Sequence, residues 1–150
     1  MPLDMGGGGG GAAYPAPSQV TKEDNTQNNV SSGQMLGLGI TYAPTKSTQL
    51  LVMLTGTLYQ TVAANGCIMY LCYGTGTPPA NGAAITGTKV AAQKILGVQY
   101  SPATLASIIK GLTVGTTYWF DVGFILGGGA GNLDNSSDAS VSLNVSILEC

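Results

Sequence analysis

Histidine and arginine are both missing from this sequence, and charge of either sign is scarce. Charged residues make up 8% of the chain, against about 25% in ordinary soluble domains. Proton transfer near neutral pH most often uses histidine, and planar recognition of phosphate or carboxylate favours arginine. We therefore expect no enzymatic activity, no catalytic residues, and no bound metal or cofactor.

Basic residues are few and apolar runs are short, which bears on two classes of partner, nucleic acid and membranes. Five lysines and a net charge of −2 do not supply the basic stripe that neutralises a phosphate backbone. The longest apolar runs, residues 50–54 and 67–73, are far shorter than the ~20 residues that cross a bilayer. We expect neither nucleic acid nor a membrane as partner. So little charge also predicts that other subunits cover part of the surface.

Cysteines are few and odd in number. Cys67 and Cys72 lie five residues apart in a predicted strand, on opposite faces, and Cys150 is the third. This spacing is unsuited to a disulfide between the first two. We interpret them as small buried apolar side chains rather than as redox or metal-binding groups.

The first 33 residues differ from the rest of the chain. They contain six consecutive glycines followed by a proline-bearing and then a polar stretch, with no period of 2 or 3.6. We predict an extended glycine-rich arm at 1–33 and a folded domain at 34–150. The residues of the arm that we expect to contact a partner are Gly6, Gly11, Tyr14, Pro15 and Pro17.

From residue 35 onward the sequence is typical of β structure. Alternating or continuous apolar runs predict strands at 35–42, 48–59, 66–73, 95–100, 118–126 and 141–147. The Asn-Gly pair at 65–66 predicts a hairpin between the second and third of these. Residues 103–110 are ambiguous between a short helix and a strand, and we favour a strand. The fold predicted is an all-β, antiparallel Greek-key sandwich, with jelly-roll and immunoglobulin-like topologies both open.

Two of the predicted strands are apolar on both faces. An antiparallel strand in a lone sandwich usually shows one polar face, so we expect a neighbouring subunit to cover the second one. The predicted oligomer face consists of Leu51, Met53, Tyr59, Met69, Leu71 and Tyr73.

The segment 111–120 resembles the tyrosine corner of Greek-key sandwiches such as immunoglobulin-like and fibronectin type III domains. The resemblance implies that Leu112 packs inward, that Gly115 permits a tight turn, and that the hydroxyl of Tyr118 returns to the backbone. These are structural roles, and they carry no activity.

Other candidate sites are weaker. The glycine runs lack the context of a phosphate-binding loop. The acidic stretch 134–138 offers oxygen ligands for Ca²⁺ but lacks the rest of a known pattern, so we favour a polar turn. Asp121 interrupts an apolar strand, and if buried it needs a lysine, a backbone N–H or water as partner. Trp119, Tyr73 and Tyr100 could line a sugar-binding face, although burial is the commoner fate of such rings.

The layout as a whole resembles the small accessory proteins of tailed-bacteriophage virions. The shared features are a low-complexity N-terminal arm and a charge-poor sandwich rich in Gly, Thr, Ser and Ala. The resemblance implies a capsid decoration or cement protein located in the virion, bound to the major capsid protein or another virion protein. It further implies a homo-oligomer, with a trimer favoured, whose arm clamps neighbouring subunits. The alternative is a tail or head fibre module in which loops 75–86 and 127–138 bind a host-surface glycan.

Overall fold

The structure, a computed structural model, describes residues 18–22, 26–27, 33–60, 66–96, 100–127, 131–134 and 143–150. In these ranges the regular structure consists of eleven strands, without a helix. The strands are β1 Ser18–Lys22, β2 Thr26–Gln27, β3 Gln34–Met35, β4 Ile40–Tyr42, β5 Leu50–Gln60, β6 Cys67–Thr75, β7 Thr88–Ile95, β8 Tyr100–Ile109, β9 Tyr118–Leu126, β10 Gly131–Asp134 and β11 Leu143–Glu149.

The strands form two antiparallel sheets that pack face to face. In sheet A, β5 lies between β8 on one side and β11 on the other, and β1 pairs with the outer edge of β11. In sheet B, β9 lies between β6 and the short strands β3 and β4, and β7 follows β6. One core cluster joins Val52 of sheet A to Leu71 and Phe120 of sheet B. The predicted all-β antiparallel sandwich is confirmed.

The strand pairs are nested along the chain. β1 pairs with β11, β3 and β4 pair with β9, β5 pairs with β8, and β6 pairs with β7. The chain thus follows the course of one long hairpin, with β6 and β7 at its tip, that has been rolled into two sheets.

The predicted hairpin between the second and third strands is wrong. β5 belongs to sheet A and β6 to sheet B, so the two are not partners. Residues 63–65 of the predicted turn lie outside the described residues. Each strand buries an alternating apolar row, including Val52 and Leu54 of β5 and Met69 and Leu71 of β6. The two rows face the same core from opposite sheets. Each row is shielded from water by the sheet opposite, not by the neighbouring strands of its own sheet.

The predicted boundary of the arm is also wrong. Residues 18–22 form β1, which pairs with β11 through five registered positions, and residues 26–27 form β2 beside β10. The edge of β11 offers backbone N–H and C=O groups that need partners, and a polar segment can satisfy them with its own main chain. The arm residues Gly6, Gly11, Tyr14, Pro15 and Pro17 lie outside the described residues.

Two further strand predictions need correction. The segment 35–42 buries Leu36, Leu38 and Ile40 as predicted, but it is a regular strand only at its ends. The predicted strand at 95–100 covers instead the end of β7 and the first residue of β8. β7 itself was missed because alanine and lysine are depleted in strands. The strand interpretation of 103–109 is confirmed by β8.

The connection between β8 and β9 contains the corner segment. Leu112 packs in the core, and Gly115 has a φ of 83°. The Tyr118 hydroxyl accepts a hydrogen bond from the backbone N–H of Thr113 at 2.9 Å. The Gly115 N–H donates to the carbonyl of Pro44 at 2.7 Å, so the corner is also tied to the segment before β5.

Trp119 is held on the outer side of sheet B by two glycines. Its ring lies so close to Gly74 that a Cβ there would be 2.5 Å from Cζ2, and a Cβ on Gly87 would overlap the ring as well. The indole N–H donates to the carbonyl of Thr75 at 3.1 Å. The ring is therefore 4% exposed although it lies outside the main core.

Gly74→Ala is expected to destabilise the fold by about 1–3 kcal/mol, because the added methyl group overpacks a rigid ring. Gly74 has no positive φ, so backbone strain does not contribute. Urea unfolding followed by far-UV circular dichroism measures the cost. The same substitution in a Trp119→Phe background is the control, since the smaller ring leaves room for the methyl group. An equal cost in both backgrounds would contradict the packing explanation.

Candidate interaction surface

The outer face of sheet B is covered by the chain itself. Met35 packs with Cys72 and Trp119 in a second buried cluster, and Ile85 closes over it from the loop between β6 and β7. The N–H of Met35 donates to the carbonyl of Ala83, which fixes that loop against the sheet. The cover that we expected from a neighbouring subunit is therefore intramolecular at this end of sheet B.

Part of the predicted oligomer face is wrong for the same strand. Met69 and Leu71 are 0% and 1% exposed and belong to the core, because they share parity with the buried Cys67. Tyr73 is half-buried, and its ring centroid lies 6.1 Å from that of Tyr118 and 6.4 Å from that of Phe120. It packs at the margin of the core rather than on an outer face.

Leu51 and Met53, in contrast, lie on the outer face of sheet A. β5 buries Leu50, Val52 and Leu54 and turns the residues between them outward. Met53 is 40% exposed and Leu51 is half-buried. The side chain of Tyr59 lies outside the described part of the structure.

Both neighbours of β5 add to this outer face. Leu51 is registered with Ile108 of β8 on one side and with Leu148 of β11 on the other. Met53 is registered with Ala106 and Ser146, and Thr55 with Thr104 and Asn144. We call these nine residues face A. Of the two large apolar side chains of the set that are exposed, Ile108 is 54% and Met53 is 40% exposed.

Face A carries no charge. Its two upper rows are apolar apart from Ser146, and its third row consists of Thr55, Thr104 and Asn144. Leu51, Met53, Ser146 and Leu148 line a shallow depression between β5 and β11. A contiguous, uncharged and partly apolar sheet face is typical of a surface that contacts another protein.

Only two residues of face A, Leu51 and Met53 of β5, were predicted from the sequence. Ile108 and Ala106 alternate with the buried Leu105 and Ile109, so a period of 2 could have placed them outward. The sequence does not reveal that β8 and β11 flank β5, because strand partners that are far apart in the chain leave no local signal.

Asp121 is a buried carboxylate, 1% exposed, on β9. It accepts hydrogen bonds from the backbone N–H groups of Gly37 at 3.0 Å, Leu38 at 3.2 Å and Val122 at 2.7 Å. Gly37 has a φ of 68°, and a Cβ there would overlap the backbone of Asn81. Of the partners expected from the sequence, the backbone N–H is confirmed. Asp121 fixes the segment that covers sheet B.

Glu149 is the second buried carboxylate, 2% exposed, at the end of β11. Its oxygens accept from the N–H groups of Thr45, Lys46 and Ser47 at 2.7, 2.7 and 2.8 Å, and from the Tyr42 hydroxyl at 3.0 Å. Burial acts to raise the pKa of Glu149, but these backbone donors outweigh it and lower the pKa to about 2. The carboxylate therefore clamps the turn before β5 to β11.

The buried titratable groups are each held by the backbone or by the core. Asp121 and Glu149 are each committed to backbone N–H groups of different segments. Burial raises the pKa of the Cys67 thiol to about 12 and also raises that of Cys72, so both thiols stay protonated. Three or more metal-ligating side chains do not come together anywhere in the described ranges. Most of the acidic stretch 134–138 lies outside them.

Comparison with known proteins gives no relative. A scan of protein-family models finds no match to this chain, and a search of curated proteins finds none either. In the described part of the chain, no helix has the length and hydropathy needed to cross a membrane.

Proposed function

We propose that the protein is a virion structural protein, a capsid decoration or cement protein that oligomerises through face A and clamps neighbouring subunits with its N-terminal arm. The observation that carries this proposal is the uncharged, partly apolar outer face of sheet A, with Met53 and Ile108 exposed at its centre and edge. A surface of this kind is stable in water when a partner buries it.

The nested strand order supports the same proposal. Pairing of the first strand with the last, and so on inward to β6 and β7, resembles the order of a jelly roll more than that of an immunoglobulin-like sandwich. Jelly rolls are common in viral capsid and lectin domains. This is an analogy at the level of the fold, and it adds weight to the location in a virion without selecting a partner.

In this proposal, copies of the protein form a homo-oligomer, with a trimer favoured, on the major capsid protein or another virion protein. The arm reaches neighbouring subunits. The sandwich supplies a rigid platform, because the carboxylates of Asp121 and Glu149 fix its two irregular segments to β9 and β11.

The alternative of a glycan-binding fibre module is less well supported. Tyr70 carries the Lys89 ammonium 4.2 Å above its ring centroid, and Trp119 is buried. Among the described side chains, every aromatic ring is buried or half-buried. Binding of the purified protein to a glycan array would favour this alternative.

Particles from which the protein has been deleted provide the test of the decoration role. We expect such particles to assemble and then to lose their contents at lower temperature, or after milder osmotic shock, than complete particles. Adding the purified protein back should restore resistance. Equal resistance of both kinds of particle would overturn the cement function.

A further inference from the structure

We propose that residues 1–17 of one copy occupy face A of a neighbouring copy, so that the subunits are linked by exchanged arms. This inference rests on the proposed function in one respect: it takes face A as the contact surface. It identifies the occupant of that surface, which composition alone does not.

The position at which the chain enters the fold supports this proposal. β1 runs antiparallel to β11 at the edge of sheet A, with Ser18 registered to Ile147. Ser18 is therefore at the end of β1 nearest to the row of face A that joins Leu148, Leu51 and Ile108. Seventeen residues precede Ser18 in the sequence, and the row nearest to Ser18 is the most apolar row of face A.

The chemistry of residues 1–17 also matches that of face A. Asp4 is the only charged residue among the first seventeen, and face A has none among its nine. The large apolar side chains of this segment are Met1, Leu3, Met5 and Tyr14, and the six glycines separate the first three from Tyr14. A segment without a continuous apolar run cannot form a core of its own. It can place isolated apolar side chains into a shallow depression such as the one beside Met53.

The direction of β1 favours a neighbouring copy over the same copy. An extended proline-bearing chain advances about 3.1 Å per residue, so residues 12–17 reach about 19 Å. Face A spans two strand spacings, or about 10 Å, so length alone allows both arrangements. Pro15 and Pro17 favour an extended path, however. Since Ser18 is registered with Ile147 and β11 ends at Glu149, an extended segment before Ser18 would pass the end of β11 within about two residues.

Complementation between two variants tests the exchange. One variant lacks residues 1–17 and keeps all eleven strands; the other is the full chain with Ile108→Lys, which places a charge in face A. Sedimentation velocity should show oligomers for the unaltered chain and monomers for each variant alone. A mixture of the two should form heterodimers, because one partner supplies an intact arm and the other an intact face.

Two controls show whether a change in association arises from face A itself. Val114→Lys adds the same charge at a residue that is 45% exposed but lies in the turn between β8 and β9, and it should self-associate like the unaltered chain. Trp119 fluorescence shows that each variant is folded. Self-association of the truncated chain would overturn the exchange in favour of direct contact between faces. Failure of the mixture to associate, or a monomeric unaltered chain, would also overturn it. These results do not depend on particles, so failure of the cement function is detected separately.

Discussion

Asp121→Ala is expected to cause the largest loss of stability of any single substitution considered for this fold. Three backbone N–H groups, those of Gly37, Leu38 and Val122, lose their acceptor when the carboxylate is removed. Each buried backbone donor that loses its acceptor costs about 1–3 kcal/mol, and because Gly37 is only half-buried we expect about 3–5 kcal/mol for the three together. Urea unfolding at neutral pH should show a decrease of this size in the free energy of unfolding.

Asp121→Asn is the matched variant. The amide keeps one acceptor oxygen but turns an NH₂ group towards buried donors, so we expect a smaller loss, about half of that in the alanine variant. Trp119 is the only tryptophan and lies in the same cluster as Met35. Its emission should shift to longer wavelength at low urea if the segment 33–39 detaches before the sandwich unfolds. Stability of the alanine variant within about 1 kcal/mol of the unaltered protein would contradict this role.

Glu149→Ala should have the second largest effect. The N–H groups of Thr45, Lys46 and Ser47 lose a charged acceptor, and the Tyr42 hydroxyl loses one as well. Hydrogen bonds to charged groups contribute about 1.5–3 kcal/mol each, but the exposed residues Thr45 and Lys46 can regain water, so we expect a total of about 2–4 kcal/mol. Glu149→Gln should retain part of it, and Lys46→Ala should have little effect, because only its backbone donates to the carboxylate.

The same carboxylate gives a pH dependence with a definite sign. The pKa of Glu149 is about 2 in the folded protein and near 4.5 when the chain is unfolded. A lowered pKa contributes stability that is complete above the unfolded value and is lost as the pH falls from about 4.5 towards 2. The free energy of unfolding should therefore fall more steeply across this window in the unaltered protein than in Glu149→Gln. Parallel pH profiles of the two proteins would contradict the assignment.

The strands that could be predicted from the sequence are those with one apolar row. The row from Tyr118 to Leu126 in β9 is buried as expected, and so are Val145 and Ile147 of β11. In β6 both faces are apolar, so alternation could not say which row faces the core, and Met69 and Leu71 were placed on the wrong side. The choice depends on the cover over sheet B, which comes from distant segments.

The two buried carboxylates differ in how visible they are in the sequence. Asp121 stands out as an acid within an apolar strand. Glu149 shares parity with Val145 and Ile147, so its inward position follows from the strand pattern. Its partners do not, because the turn at residues 45–47 lies more than 100 positions away in the chain. Face A could be predicted only in part for the same reason, because its three strands are far apart in the sequence and the nested pairing brings them together.

Occupancy on particles is the measurement that tests the role of face A most directly. Purified protein is added to particles that lack it, and bound copies are counted by cryo-electron microscopy or quantitative gel analysis. We expect the unaltered protein and Val114→Lys to fill their positions and Ile108→Lys to leave most of them empty. Full occupancy by Ile108→Lys would show that face A is not the surface through which this protein assembles.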